Sequence, residues 1–175
     1  MLNRKSVLFF FLLTAYLVLS TSASQAQPFT YVGTKSCKMC HNTEAKGKVY
    51  DFWNGTKHAM AFKALQSDKA KEISKNKNAV ENAECLKCHV GPDKALAASS
   101  FKEDGVQCET CHGAGSGYKV MSVMKNRDDA VKKGLAVHPD IEKFCKTCHN
   151  QEVHPKPEFK FAEMWKSIKH GPKKG

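Results

Sequence analysis

The sequence predicts a compact, mostly α-helical chain with little regular sheet and an interior that side chains fill only in part. Three observations predict it. Apolar residues recur at helical spacing in short segments, and no segment alternates over the length of a strand. Lysine is abundant, glycine and asparagine are scattered, and long apolar stretches are missing beyond residue 26. Four copies of Cys-x-x-Cys-His use all eight cysteines: Cys37, Cys40 and His41; Cys85, Cys88 and His89; Cys108, Cys111 and His112; and Cys145, Cys148 and His149.

The first element is a leader. Asn3, Arg4 and Lys5 make a short basic start, an apolar run follows from Val7 to Leu19, and small polar residues lead to Ala26. That order is a secretory signal peptide over residues 1–26, with residues 27–175 as one mature domain. The apolar run is too short for a retained membrane anchor, and no later segment has the length to span a bilayer. Export implies the periplasm, with an extracellular destination also open, and no stable membrane insertion once the leader is cleaved.

The motif decides what fills the interior. Thioredoxin-like pairs need a strand leading into a helix, and that context is missing around all four copies. Structural zinc uses thiolates and imidazoles in tetrahedral sets, which leaves the strict adjacency of histidine to the second cysteine unexplained. Covalent c-type haem accounts for every feature: each cysteine adds to one vinyl group, the two intervening residues set the separation, and the histidine ligates iron. Four covalently attached haem c groups then form much of the core, and folding depends on their attachment as it does for other metal-coupled chains.

Between the motifs, residues 43–66 read as helix, with Val49, Phe52, Trp53 and Met60 apolar and Gly55 as a weak point. Residues 67–84 are rich in lysine and asparagine and read as a polar helix or a solvated connection. The stretch GPDKAL turns into a short helix. Glycines around the third motif allow backbone to pass close to a porphyrin. Residues 120–136 read as helix, with Met121, Met124, Val131 and Leu135 at helical spacing. A terminal amphipathic helix carries Phe161, Met164, Trp165 and Ile168 on one side and stops at Gly171 and Pro172.

Beyond the four motif histidines the chain holds four more: His58, His138, His154 and His170. The count allows each iron a second imidazole, a ligation that suits electron transfer. His58 and His170 share the frame Trp-x-x-x-Lys-His, with Trp53 and Trp165, and are expected on helices. His138 and His154 each precede proline, which disfavours helix and places them on extended loops.

The stretches YVGTKSCKMCHNTE (31–44), DFWNGTKHAMAF (51–62), GVQCETCHGAGSGY (105–118), CKTCHN (145–150) and FKFAEMWKSIKH (159–170) resemble the cytochrome c554 family of secreted multihaem cytochromes. With motif order, the resemblance covers nearly all of residues 27–175, least well at 63–84. It implies a compact helical fold with closely packed haem pairs. It also implies distal ligands by position: His170 with His41, His58 with His112, and His138 with His149. In the family the second haem lacks a protein distal ligand; here His154 is available to complete the His89 haem, a departure from that pattern.

The formal charge is +11, of which Arg4 and Lys5 supply two, leaving +9 for the mature chain. Haem propionates offset part of this, and the remaining lysines suit docking to redox proteins with acidic surfaces. No nucleic-acid recognition motif accompanies the charge, and lysine outnumbers arginine. The leading reading is an electron carrier, with no catalytic residues assigned. Two alternatives stay open: an enzyme acting on nitric oxide, hydroxylamine or a related nitrogen compound at an open His89 haem, and an oligomer or extracellular filament in which His154 ligates a neighbour's haem. Intact mass spectrometry of exported protein is expected to show a chain beginning near Gln27 with four haem additions; zinc in their place, or fewer additions on fully matured protein, contradicts the reading.

Overall fold

The computed structural model describes residues 29–150 and 157–171, so the leader and His154 lie outside the described residues. The described chain is mostly helical and holds no strand. In chain order the helices are α1 (Thr34–His41), α2 (Val49–Asn54), α3 (Ala61–Ala64), α4 (Asp68–Ile73), α5 (Ala83–His89), α6 (Lys94–Ala98), α7 (Cys108–His112), α8 (Met121–Met124), α9 (Arg127–Lys132), α10 (Ile141–Lys146) and α11 (Phe161–Ile168), with single 3-10 turns at Glu44–Lys46, Lys102–Asp104 and Gly115–Gly117.

Side chains just before the helices define many of these starts. Ser67 accepts from the Ala70 amide, Asn82 from Glu84, Asp93 from Ala95, and Asp140 from Lys143. Asn126 accepts from both Asp128 and Asp129. Each cap satisfies amides that the first helical turn leaves without intrahelical partners. The α1 helix is capped from a distance: Asp104 accepts from the Thr34 amide at 3.2 Å and from its hydroxyl at 2.9 Å.

The same local chemistry breaks two stretches expected to be continuous. Over 43–66, Gly47 is left-handed and returns its N–H to Glu44, Lys48 is also left-handed, and α2 ends at Gly55. Over 120–136, the Asn126 cap starts a new helix, so α8 and α9 replace a single one. The apolar spacing was compatible with long helices, but turn-forming residues at 47, 55 and 126 terminate them. The terminal helix keeps its apolar side, with Phe161, Met164, Trp165 and Ile168 half-buried, and stops at Ile168 rather than at Gly171.

The apolar core is small. Phe62, Leu65, Ala79, Leu86, Val90 and Leu96 form it, with Tyr31, Ala70, Val80, Cys85 and Ala97 packed against its margin. It joins α3, α5 and α6 around the second motif. By contrast Met39, inside the first motif, is 76% exposed, and Phe52 and Met60 are also exposed.

Where large side chains are scarce, backbone packs against backbone. Gly105 has φ +73°, and a Cβ there would lie 2.6 Å from the His58 carbonyl oxygen. That carbonyl also accepts from the Val106 amide at 3.0 Å. Gly113 has φ +76°, and its Cβ would meet the Gly134 carbonyl at 2.7 Å. Gly105→Ala combines an unfavourable backbone conformation with a backbone clash. It is expected to destabilise the holoprotein by about 1–3 kcal/mol, read as a lower urea midpoint; an unchanged midpoint contradicts the contact.

Candidate functional site

On a helix, residues three and four apart share a face. Cys37, Cys40 and His41 therefore align on α1, Cys85, Cys88 and His89 on α5, and Cys108, Cys111 and His112 on α7. The fourth set starts on α10 with Cys145, and the turn continues because the Cys148 and His149 amides both return to the Cys145 carbonyl. Each motif is thus a local unit that presents two thiols and an imidazole together. Among the described residues no His, Cys, Asp and Glu side chains converge as a separate metal-binding group.

The motifs lie beside one another. Cys37 and Cys108, the first cysteines of motifs one and three, lie close enough to interact, which lowers the Cys37 pKa and raises that of Cys108. Burial, then the charge of Cys145 in motif four, push the Cys111 thiol up to about 11. Motif four meets motif two where the Cys148 thiol donates to the Lys87 carbonyl at 3.4 Å. Motif three also meets the end of motif two, where the Thr110 hydroxyl donates to the Val90 carbonyl at 2.8 Å, so the motifs form a cluster rather than a single file.

The imidazoles pair across these units. His58 and His149 have ring centroids 5.9 Å apart, and His112 and His170 have theirs 6.0 Å apart. Two imidazoles on opposite faces of one metal ion, each at a metal–nitrogen distance of about 2 Å, hold their centroids at roughly this spacing. Family resemblance implied other partners, His112 for His58 and His41 for His170. His41 is nevertheless near enough to His170 to interact with it electrostatically. Both Trp-x-x-x-Lys-His histidines lie beyond helix ends rather than on helices. His58 is in the turn between α2 and α3, and His170 follows α11 with Lys169 extended. The Trp53 indole anchors the first frame by donating to the Val106 carbonyl at 3.0 Å.

The other rings are oriented by backbone. His89 Nδ1 lies 2.6 Å from the Ala61 carbonyl, so Nδ1 carries the proton and Nε2 is the nitrogen with a lone pair for a metal. His138, extended as its following proline predicts, places Nε2 2.7 Å from the Cys111 carbonyl and stacks on Phe144 at 3.8 Å between centroids. That carbonyl requires the donor tautomer at Nε2, leaving the lone pair on Nδ1. His149 stacks on Phe159 at 4.7 Å.

Burial and mutual repulsion favour the neutral form of His41, His58 and His112. Burial, then His149, lower the pKa of His58. Burial, then Lys46 and His170, lower that of His41. His112 keeps a solvent-accessible edge, while crowding chain on its other sides desolvates it; this, followed by His170, His138 and His41, pushes it down to about 4. Neutral imidazole is the form that ligates iron.

The residues fit a large apolar group with polar margins. Met39, Phe52 and Met60 offer exposed apolar surface close to motif or distal-histidine positions. Gln107, immediately before Cys108, is only 2% exposed, yet neither polar atom of its amide has a hydrogen-bond partner. A buried amide of this kind calls for a partner beyond the polypeptide.

Sequence reasoning missed three residues of this region: Gln107, Asp104 and Glu109. Glu109 is buried between Cys108 and Cys111, accepting from the Val32, Gly33 and Gly115 amides at 2.7–3.1 Å. A signal was present, because the other motifs carry Lys38-Met39, Leu86-Lys87 and Lys146-Thr147 between their cysteines, and only the third has an acid.

The lowered histidine pKa values set a pH dependence. Unfolded chain takes up protons near pH 6.5, whereas folded His112 does so near 4. Stability is therefore full above about pH 6.5 and falls as the pH drops toward 4. Urea midpoints measured from pH 7.5 to 4.5 are expected to decrease; a midpoint that increases on acidification contradicts the assignment.

A family model described as cytochrome c554 and c-prime matches residues 36–113, which hold the first three motifs and His58. Neither the curated proteins nor the solved structures provide a match.

Proposed function

We propose that the chain, which matches the family model of cytochrome c554 and c-prime over residues 36–113, transfers single electrons between periplasmic redox proteins through four covalently bound haem c groups. The family match supports covalent haem c and a haem-based electron-transfer role. No helix among the described residues is long and apolar enough to cross a membrane. The observation that supports the finer reading is the clustering of the motifs: Cys37 lies near Cys108 and Cys111 near Cys145, the Cys148 thiol donates to the Lys87 carbonyl at 3.4 Å, and the Thr110 hydroxyl to the Val90 carbonyl at 2.8 Å. An electron carrier needs its centres close together, and this clustering keeps the four attachment points near one another.

Haem iron supplies the one-electron chemistry, alternating between ferric and ferrous states. The polypeptide provides attachment, ligands and exclusion of water. Cys37, Cys40, Cys85, Cys88, Cys108, Cys111, Cys145 and Cys148 form the thioether links. His41, His89, His112 and His149 are the proximal ligands. The 5.9 and 6.0 Å ring spacings support His58 as the distal partner of His149 and His170 as that of His112. His138 is a further distal ligand, presented from its extended segment. Two imidazoles saturate an iron and favour electron transfer over substrate binding. Exposed lysines such as Lys57, Lys63 and Lys69 suit the docking of acidic partners.

Alanine at His58 is expected to turn the haem held by Cys145 and Cys148 from low to high spin, and alanine at His170 the haem held by Cys108 and Cys111. Electron paramagnetic resonance of each variant, combined with removal of the matching motif, reads this; spectra identical to the parent in both variants contradict the ligand pairing. With His154 completing the His89 haem, nitric oxide is expected not to bind the reduced parent protein. Rapid binding at one haem instead supports an enzyme acting on small nitrogen compounds.

A further inference from the structure

We propose that Glu109 is a positioning and potential-tuning residue: a buried, uncompensated carboxylate inside the third motif that locks motifs one and three together and lowers the midpoint potential of the haem attached at Cys108 and Cys111. The inference rests on the haem-binding reading above and adds to it a residue outside the ligand set.

Three features carry it. The Glu109 carboxylate is 2% exposed. Its oxygens accept from the Gly115 amide at 2.7 Å, the Gly33 amide at 2.8 Å, and the Val32 amide at 3.0 and 3.1 Å. All of these are donors, so the ionised acceptor is the form that matches them. They are also neutral amides, and none of the ion pairs among the described residues includes Glu109. The amide dipoles stabilise the anion without cancelling its charge.

The position of that charge gives the effect. Glu109 directly follows one attachment cysteine and precedes the other by two residues, so it is covalently tied to the third motif. Ferric haem differs from ferrous by one positive charge at iron. A fixed negative charge in a poorly screened interior stabilises the ferric state and opposes reduction. The two amides on the far side, Val32 and Gly33, lead directly into α1, whose start is bonded by Asp104. Glu109 and Asp104 thus bond three successive amides, and Cys37 is held against Cys108. A Cβ at Gly115 would come within 3.0 Å of Glu109 Oε1, so the glycine there makes room for the carboxylate.

The experiment compares parent holoprotein with Glu109→Gln and Glu109→Asp by spectroelectrochemical titration, with intact mass confirming four haems in each. Glu109→Gln keeps the shape and removes the charge; one midpoint is expected to shift positive by about 59 mV or more, a tenfold change in a one-electron equilibrium. Glu109→Asp keeps the charge and is expected to restore the parent midpoint. Four unchanged midpoints in a tetrahaem Glu109→Gln protein overturn the proposal. If Glu109→Gln does not mature, a positive shift in Glu109→Asp overturns it, because charge then does not set the potential, whereas the parent midpoint supports it. Failure of both variants to acquire four haems also overturns it, leaving a folding requirement alone. A parent protein lacking four haems would instead defeat the underlying haem reading, which the mass of the unaltered chain reports separately.

Discussion

The bonds between Glu109 and the amides of Val32, Gly33 and Gly115 tie together segments far apart in sequence. Much of the remaining architecture depends on that junction. The entry to α1 is held against α7, Asp104 completes the docking at Thr34, and Cys37 comes to lie against Cys108. Burying a carboxylate without a cation is costly unless its lone pairs are bonded. Here the partners are main-chain amides at the start of one motif and just after another. The same bonds that satisfy the charge also fix the relation between the two motifs.

Such polar fastening compensates for a sparse apolar core. The buried aliphatic cluster lies around α3, α5 and α6 and serves the second motif more than the others. Elsewhere, backbone approaches backbone at Gly105 and Gly113, and aromatic rings stack on histidines, as in the pairs His138–Phe144 and His149–Phe159. A chain that reserves its interior for large cofactors has to position ligands with few packed side chains. Short capped helices and tight glycine contacts do this over short distances. The ion pairs within and beside the helices, such as Lys71 with Asp68, lie on the surface and add little to stability.

The arrangement also links electrostatics to chemistry. Crowding and mutual repulsion keep His41, His58 and His112 neutral, which is the state that ligates a metal. The His89 tautomer is set by the Ala61 carbonyl on the neighbouring α3 helix. Ligand identity is therefore local to each motif, while ligand state and orientation come from segments packed against it.

The sequence alone determined what depends on neighbours a few residues apart. Attachment chemistry is complete within each Cys-x-x-Cys-His, because helical geometry aligns the three side chains. The helical class follows from short-range periodicity, and the extended setting of His138 follows from the next residue being proline. Helix lengths were less legible, since Gly47, Gly55 and Asn126 end helices that apolar spacing alone would continue. Tertiary structure decided the rest. It set which motifs lie beside one another, and it brought His58 beside His149 and His170 beside His112, where position along the chain and resemblance had suggested other partners. It also turned Glu109 from an unremarked spacer into a junction between two motifs. The physical reason is range: a covalent motif is specified within one helical turn, whereas an imidazole pair or a buried carboxylate acquires its partners only when distant segments fold against each other.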